Sequence, residues 1–222
     1  MTYQLRLFHD QYDAGAVSKA IRPAPHSMFY AFKGSASVAN SDLAQSEAGY
    51  FRDFTPVEAG PEGATIWRWE IVDRDEALGT LDAPGVHSVL KMARDVKMFE
   101  LEAASRWLFR LDCIIGFRGT TGMHSHPGSG IRCMVEGHLL AESEKGENSE
   151  SSNPGDAWYE EGAYPLVSTV KDGVKTTFLR GMILPPDFLE YPDSATWIHG
   201  QPEGGPQLDS WKPLAQQVVT LS

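Results

Sequence analysis

The chain has 222 residues, 41% of them hydrophobic, enough for one large β domain or two small ones with a sizeable core. Lys and Arg number 19 against 30 Asp and Glu, a formal charge of -11, so phosphate backbones and anionic membrane surfaces are repelled and neither nucleic acid nor membrane is an expected partner. No apolar run approaches the roughly 18 residues of a membrane span, and Met1–Asp10 lacks the apolar stretch of a signal peptide, so the expected location is the cytoplasm.

Taken in chain order, short stretches rich in Val, Ile, Phe, Trp and Tyr lie between scattered Gly and Pro, the pattern of strands and turns. Ser27–Phe32 is the first expected strand. Ala64–Val72 is the next, with Trp67, Trp69 and Ile71 alternating with Arg68 and Glu70, which predicts an apolar face turned inward and a charged face turned away. From Gly85 to Ala104 the residues Val89, Leu90, Met92, Val96, Met98 and Phe99 recur at imperfect helical spacing, predicting a partly helical connector. Strands are then expected over Trp107–Ile115, Ile131–Val135, His138–Glu142 and Thr176–Leu184. The acidic, Ser- and Pro-containing stretch from Ala141 to Gly155 has the composition of a solvated loop, and Pro185–Gly205 is again rich in Pro and Gly. A last strand, Gln216–Leu221, is placed to return to the other half of the chain. Cys113 and Cys133 are too few for a disulfide framework and are expected as buried thiols.

The sharpest local signal is Gly119-Thr-Thr-Gly-Met-His124-Ser-His126-Pro-Gly-Ser-Gly130, followed by an apolar strand ending at Gly137 and a Gly155-Asp156 turn. Residues at i and i+2 of a strand share a face, so both imidazoles can converge on one ion. A bare His-x-His is also compatible with a structural pair.

This stretch resembles the cupin family, whose first motif reads Gly, a five-residue spacer, His-x-His, a short spacer, Glu, six residues, Gly. His124, His126 and Gly137 match it and Gly155 opens the second motif, while Gly130 stands at the family's Glu position and Tyr164-Pro165-Leu166 near its second-motif His. The resemblance implies an all-β chain of two cupin-type β-barrels of the jelly-roll (RmlC-like) kind: a degenerate N-terminal barrel over 1–85, a connector over 86–104, and a C-terminal barrel with a metal site and an extension over 105–222. Support for the first barrel is the strand of Pro25–Gly34 that ends at glycine, as Met134–Gly137 does, without a His-x-His before it.

The same resemblance implies a divalent transition metal, Fe, Mn, Ni or Zn, on His124 and His126, with Glu160 or Glu161 as replacement carboxylate; two exposed glutamates at a turn satisfy the spacing as well. Strand alternation turns Arg132, Met134 and Glu136 toward the barrel interior. There Arg132 is placed either to orient a substrate carboxylate or enolate or to pair with Glu136 or Glu160. Trp158 and Tyr164 are pocket-lining or core aromatics. His9, His26, His87, His138 and His199 lack a second ligand at useful spacing. Two functions follow as expectations: a metal-dependent, oxygenase-like oxidoreductase (dioxygenase-like) acting on a small molecule with Arg132 and Tyr164 as catalytic groups, or a non-catalytic small-molecule binding or sensing cupin. A homodimer is the default assembly for a soluble protein.

Overall fold

The computed structural model describes residues 3–18, 26–52, 56–96, 106–146, 148–191, 193–200, 203 and 205–221. The chain divides into two compact units, Met1–Val96 and Lys97–Ser222. Both are built of strands; among the described residues the one helical segment is the 3-10 turn Pro186–Glu190. No described helix is long and apolar enough to cross a membrane.

The first unit contains β1 (Tyr3–Tyr12), β2 (Val17–Ser18), β3 (His26–Val38), β4 (Ser41–Leu43), β5 (Ala48–Phe51), β6 (Val57–Asp73), β7 (Asp82–Ala83) and β8 (Val86–Asp95). They form one eight-stranded sheet in the order β4-β3-β6-β1-β8-β7, with β2 on β6 and β5 on β3. Close approach of β3 to β6 requires glycine at Gly34, where φ is +69° and a Cβ would collide with the Gly63 carbonyl oxygen.

The period-two pattern on β6 is present, but its charged face is not turned to solvent. Arg68 and Glu70 are buried on the same face as Ile66, which belongs to the cluster of Tyr12, Phe29 and Val57. Burial is tolerated because β1 delivers Asp10, whose Oδ2 accepts from Arg68 Nε at 2.7 Å, while Arg68 also pairs with Glu70 and donates to the Gly79 carbonyl at 2.9 Å. The Phe8 ring lies 4.3 Å beneath the guanidinium carbon. Trp67, Trp69 and Ile71 on the opposite face are buried too.

The stretch expected as a partly helical connector is strand β8 over Val86–Asp95, antiparallel to β1. His87, Val89 and Lys91 are exposed and the residues between them half-buried, a period of two that the imperfect helical spacing had concealed. The remainder of that connector, residues 97–104, lies outside the described residues.

The second unit contains β9 (Arg106–Phe117), β10 (His124–Ser125), β11 (Gly130–Glu136), β12 (Leu139–Ser143), β13 (Ser149–Ser151), β14 (Ala157–Glu160), β15 (Leu166–Thr169), β16 (Thr176–Leu184), β17 (Thr196–Trp197) and β18 (Ser210–Thr220). Two five-stranded sheets result, β14-β11-β16-β9-β18 and β13-β12-β15-β10-β17. Gly137, at φ +101°, turns the chain from β11 in one sheet to β12 in the other. Ile114, Met134, Trp158 and Phe178 from the first sheet and Leu139 and Ala141 from the second share one buried cluster.

Three expectations change here. The Ala141–Gly155 loop contains β13, which pairs back onto β12. The last strand begins at Ser210 and pairs with β9 of its own unit. Closed hydrogen-bonded barrels are not formed by the described strands, which make one open sheet in the first unit and two sheets in the second. Cys113 and Cys133 are buried and not joined in a disulfide, with Leu179 of β16 in register between them, and burial pushes Cys113 up to about 12.

Candidate functional site

The site begins with β10, two residues long and held between β15 and β17. His124 lies on β10 and His126 just beyond it; their rings are 5.0 Å apart, nearly perpendicular, and both are buried. His124 Nδ1 is 3.0 Å from the Gly122 carbonyl oxygen and His126 Nδ1 is 3.0 Å from that of Ser194. A carbonyl only accepts, so each Nδ1 carries its hydrogen and each Nε2 is left for other partners, the arrangement that orients ligating histidines. Burial, reinforced by the neighbouring His126 ring, lowers His124 to about 4 and keeps it neutral at pH 7.

Glu160 closes the group from β14. It faces Gly130 across the β11–β14 ladder, so a carboxylate arrives from the neighbouring strand at the position where the cupin motif has its own Glu. Glu160 Oε2 accepts from Arg132 Nη2 at 2.6 Å and lies 3.2 Å from His126 Nε2, while Oε1 accepts from Trp158 Nε1 at 2.9 Å. Burial works against ionisation of Glu160, but Arg132 and His126 outweigh it and hold the carboxyl well below the usual carboxylate range. Arg132 is fully buried, and burial lowers its pKa against the opposing pull of Glu160. Of the two pairings open to Arg132 in the sequence, the structure contains the one with Glu160; Glu136 instead accepts from the Thr177 hydroxyl at 3.1 Å.

A second charged group lies in register with the first. Arg132, Arg180 and Asp112 stand side by side on β11, β16 and β9. Asp112 is fully buried, grips Arg180 through two hydrogen bonds of 2.8 and 3.0 Å, and accepts from Trp211 Nε1 at 3.0 Å. Arg180 and Asp112 went unnoticed as site residues, although charges inside otherwise apolar strands, Arg180 in β16 and Arg110 with Asp112 in β9, were the available signal, since buried charges are paired. Ser194, Trp197 and Trp211 come from segments with no such signal.

These side chains border a cavity of about 280 Å³. His124, His126, Arg132, Glu160 and Arg180 line it together with Ile114, Phe117, Phe178, Trp197 and Trp211. Trp197 lies 5.0 Å from His124, ring to ring. The volume is near the lower end of the range for ligand pockets, and the mixture of aromatic walls with a few polar groups is typical of them.

Two expected site residues are elsewhere. Glu161 follows the end of β14, lies outside the cavity and is bound by Lys145 Nζ at 2.6 Å. Tyr164 is 41% exposed, with Lys145 5.0 Å above its ring, so it is not placed to act on anything in the cavity. Leu166, near the family's second-motif His, pairs with His124 in register and is buried, so no imidazole is supplied there.

Of the proposed metal donors, His124, His126 and Glu160 are thus neighbours and Glu161 is not. Among the described residues no group of three or more His, Cys, Asp or Glu is arranged to hold a metal ion. The carboxylate oxygen of Glu160 that faces His126 is also bound by the Arg132 guanidinium. The donors as they stand therefore do not fit a metal seat.

No protein-family model matches the chain, and no curated protein matches it. Among solved structures it is similar to Bacillus subtilis oxalate decarboxylase, a protein with Mn(II) centres, at 11% identity over 87% of this chain and 71% of that one, TM-score 0.58. It is similar to Lactobacillus farciminis oxalate decarboxylase in its formate complex at 12% identity over 87% and 79%, TM-score 0.57. A third similar structure is salicylate 1,2-dioxygenase from Pseudoaminobacter salicylatoxidans, at 10% identity over 94% and 76%, TM-score 0.51. These are cupin proteins, and at such identities the likeness is one of fold: the chain has the cupin fold.

Proposed function

We propose that the second unit binds a small molecule in the cavity beside His124, His126, Arg132 and Glu160. The observation that carries this is the convergence of four buried polar side chains, from β10 and the segment just after it, β11 and β14, on one aromatic-walled space of about 280 Å³. Buried polar groups of this kind are costly unless they serve one another or a ligand. His124, with Nδ1 committed to Gly122, has Nε2 as an acceptor for a ligand hydroxyl or N–H. Phe117, Phe178 and Trp211 suit a flat apolar body. The occupant that fits is a small aromatic or apolar molecule with one polar group.

A second reading, a metal-dependent and oxygenase-like oxidoreductase, is favoured by one observation: both Nδ1 atoms are pinned by carbonyls, so that His124 Nε2 is left for a ligand and His126 Nε2 faces Glu160. The fold neighbours agree with it, one having Mn(II) centres and another being a dioxygenase. It requires a dication to share Glu160 with Arg132.

We read the two units further as two cupin-type jelly-roll domains, the first degenerate. The strand trio β3-β6-β1 of the first has the same order as β11-β16-β9 of the second, and positive φ occurs at Gly34 within β3 and at Gly137 just after β11.

The test is a thermal-shift screen of small aromatic alcohols, phenols and carboxylic acids against the parent and Ala195→Phe, a change at the half-buried cavity wall that fills the space. Compounds that stabilise the parent and lose that effect in Ala195→Phe support the site. Compounds that stabilise both equally contradict it.

A further inference from the structure

We propose that Arg132 is the resident cation of this site, occupying with its guanidinium the place a metal ion would take, and that Gly130 is the residue that makes room for it. The inference rests on the cavity reading but fails separately from it, since ligand binding and metal binding are read by different signals.

Glu160 is a buried carboxylate and requires a positive partner. Arg132 supplies it at 2.6 Å, on the same oxygen that lies 3.2 Å from His126 Nε2. A divalent ion bridging that oxygen and the imidazole would sit against a buried guanidinium, with like charges in a medium that screens them poorly. The neighbouring buried charges add to this positive excess, because Asp112 is shared by Arg180 and Arg110, so that three buried guanidiniums stand against two carboxylates.

The backbone shows that the exchange is built in. Arg132 Nη1 donates to the Gly130 carbonyl at 2.8 Å, folding the side chain back over its own strand. A Cβ at Gly130 would lie 2.6 Å from that same nitrogen, 2.7 Å from the Gly181 carbonyl oxygen and 2.8 Å from Met182 Cγ. A side chain at position 130, a carboxylate included, therefore competes with the guanidinium and also presses on the Gly181 carbonyl of β16. Glycine at 130, arginine at 132 and glutamate at 160 form one matched set: the carboxylate stands on the adjacent strand and is paired with a protein cation.

The experiment is a Co(II) titration of the full chain purified without affinity tag or chelator, followed by visible absorption and by metal analysis of the protein as isolated. The parent is expected to retain substoichiometric metal and to show no Co(II) band. Arg132→Gln, which removes the charge and keeps much of the volume, is expected to gain Co(II) affinity on the order of 100-fold, the scale on which groups around a metal site move affinity. That gain is lost when His124→Ala and His126→Ala are added. One equivalent of His-dependent metal in the parent overturns the proposal, and so does a folded Arg132→Gln protein that gains none. Should Arg132→Gln not fold, the parent decides alone: bound Co(II) overturns the proposal and its absence upholds it.

Discussion

The interiors of the two units are variations on one frame. Each places an arginine at the middle of a central strand, Arg68 on β6 and Arg180 on β16. In the first unit its register partners are Phe8 and Phe29; in the second they are Asp112 and Arg132. Aromatic partners stack on the guanidinium, and Asp10 and Glu70 neutralise it. Charged partners draw further polar groups inward, and the second unit keeps a cavity. The side chains flanking one arginine thus set whether its charge is neutralised among aromatic rings or extended into a polar cluster at a cavity wall.

The largest effect should come from Glu160→Ala. It leaves Arg132 buried without its carboxylate and should cost about 3–5 kcal/mol in urea unfolding, the range for breaking a buried pair. Asp10→Asn is the matching change in the first unit and should cost less, about 2 kcal/mol, because Arg68 retains Glu70 and the Gly79 carbonyl. Equal costs would remove the distinction between a redundant ion-pair cluster and a singly balanced site.

The third prediction concerns pH. Burial, with Lys91 adding to it, lowers His9 of β1 from 6.5 to about 4. The folded ring stays neutral while the unfolded one takes up a proton below 6.5, so stability falls as pH drops from about 6.5 to about 4. After allowing for partial exposure of the ring, the loss is about 2 kcal/mol. His9→Gln should flatten this part of the pH profile relative to the parent; an unchanged slope would assign the sensitivity to other groups. Smallest of all, Ala195→Phe should alter stability by less than about 1 kcal/mol while abolishing ligand-induced shifts.

Much of the frame was legible in the sequence. The strands at Ala64, Trp107 and Thr176 follow from period-two or continuous apolar runs, and His124 with His126 was singled out by spacing together with the resemblance to the cupin motif. What the sequence concealed was set by distant partners. Arg68 and Glu70 looked solvent-facing because Asp10, which makes their burial tolerable, lies on another strand. Strand β8 looked helical because its spacing was ambiguous and only pairing with β1 decides it. Glu160 and Glu161 differ by one residue, and strand alternation sends the first into the cavity and leaves the second with Lys145. Tyr164 was near the motif in sequence but not in space.

The most direct test of the central claim, that the ligand site belongs to the second unit, uses the six tryptophan indole N–H signals, assigned by single Trp→Phe changes. Titration with compounds that stabilise the protein should move the signals of Trp197 and Trp211, which line the cavity, and leave Trp67 and Trp69 of the first unit in place. Shifts at Trp67 and Trp69 with Trp197 and Trp211 unmoved would contradict it.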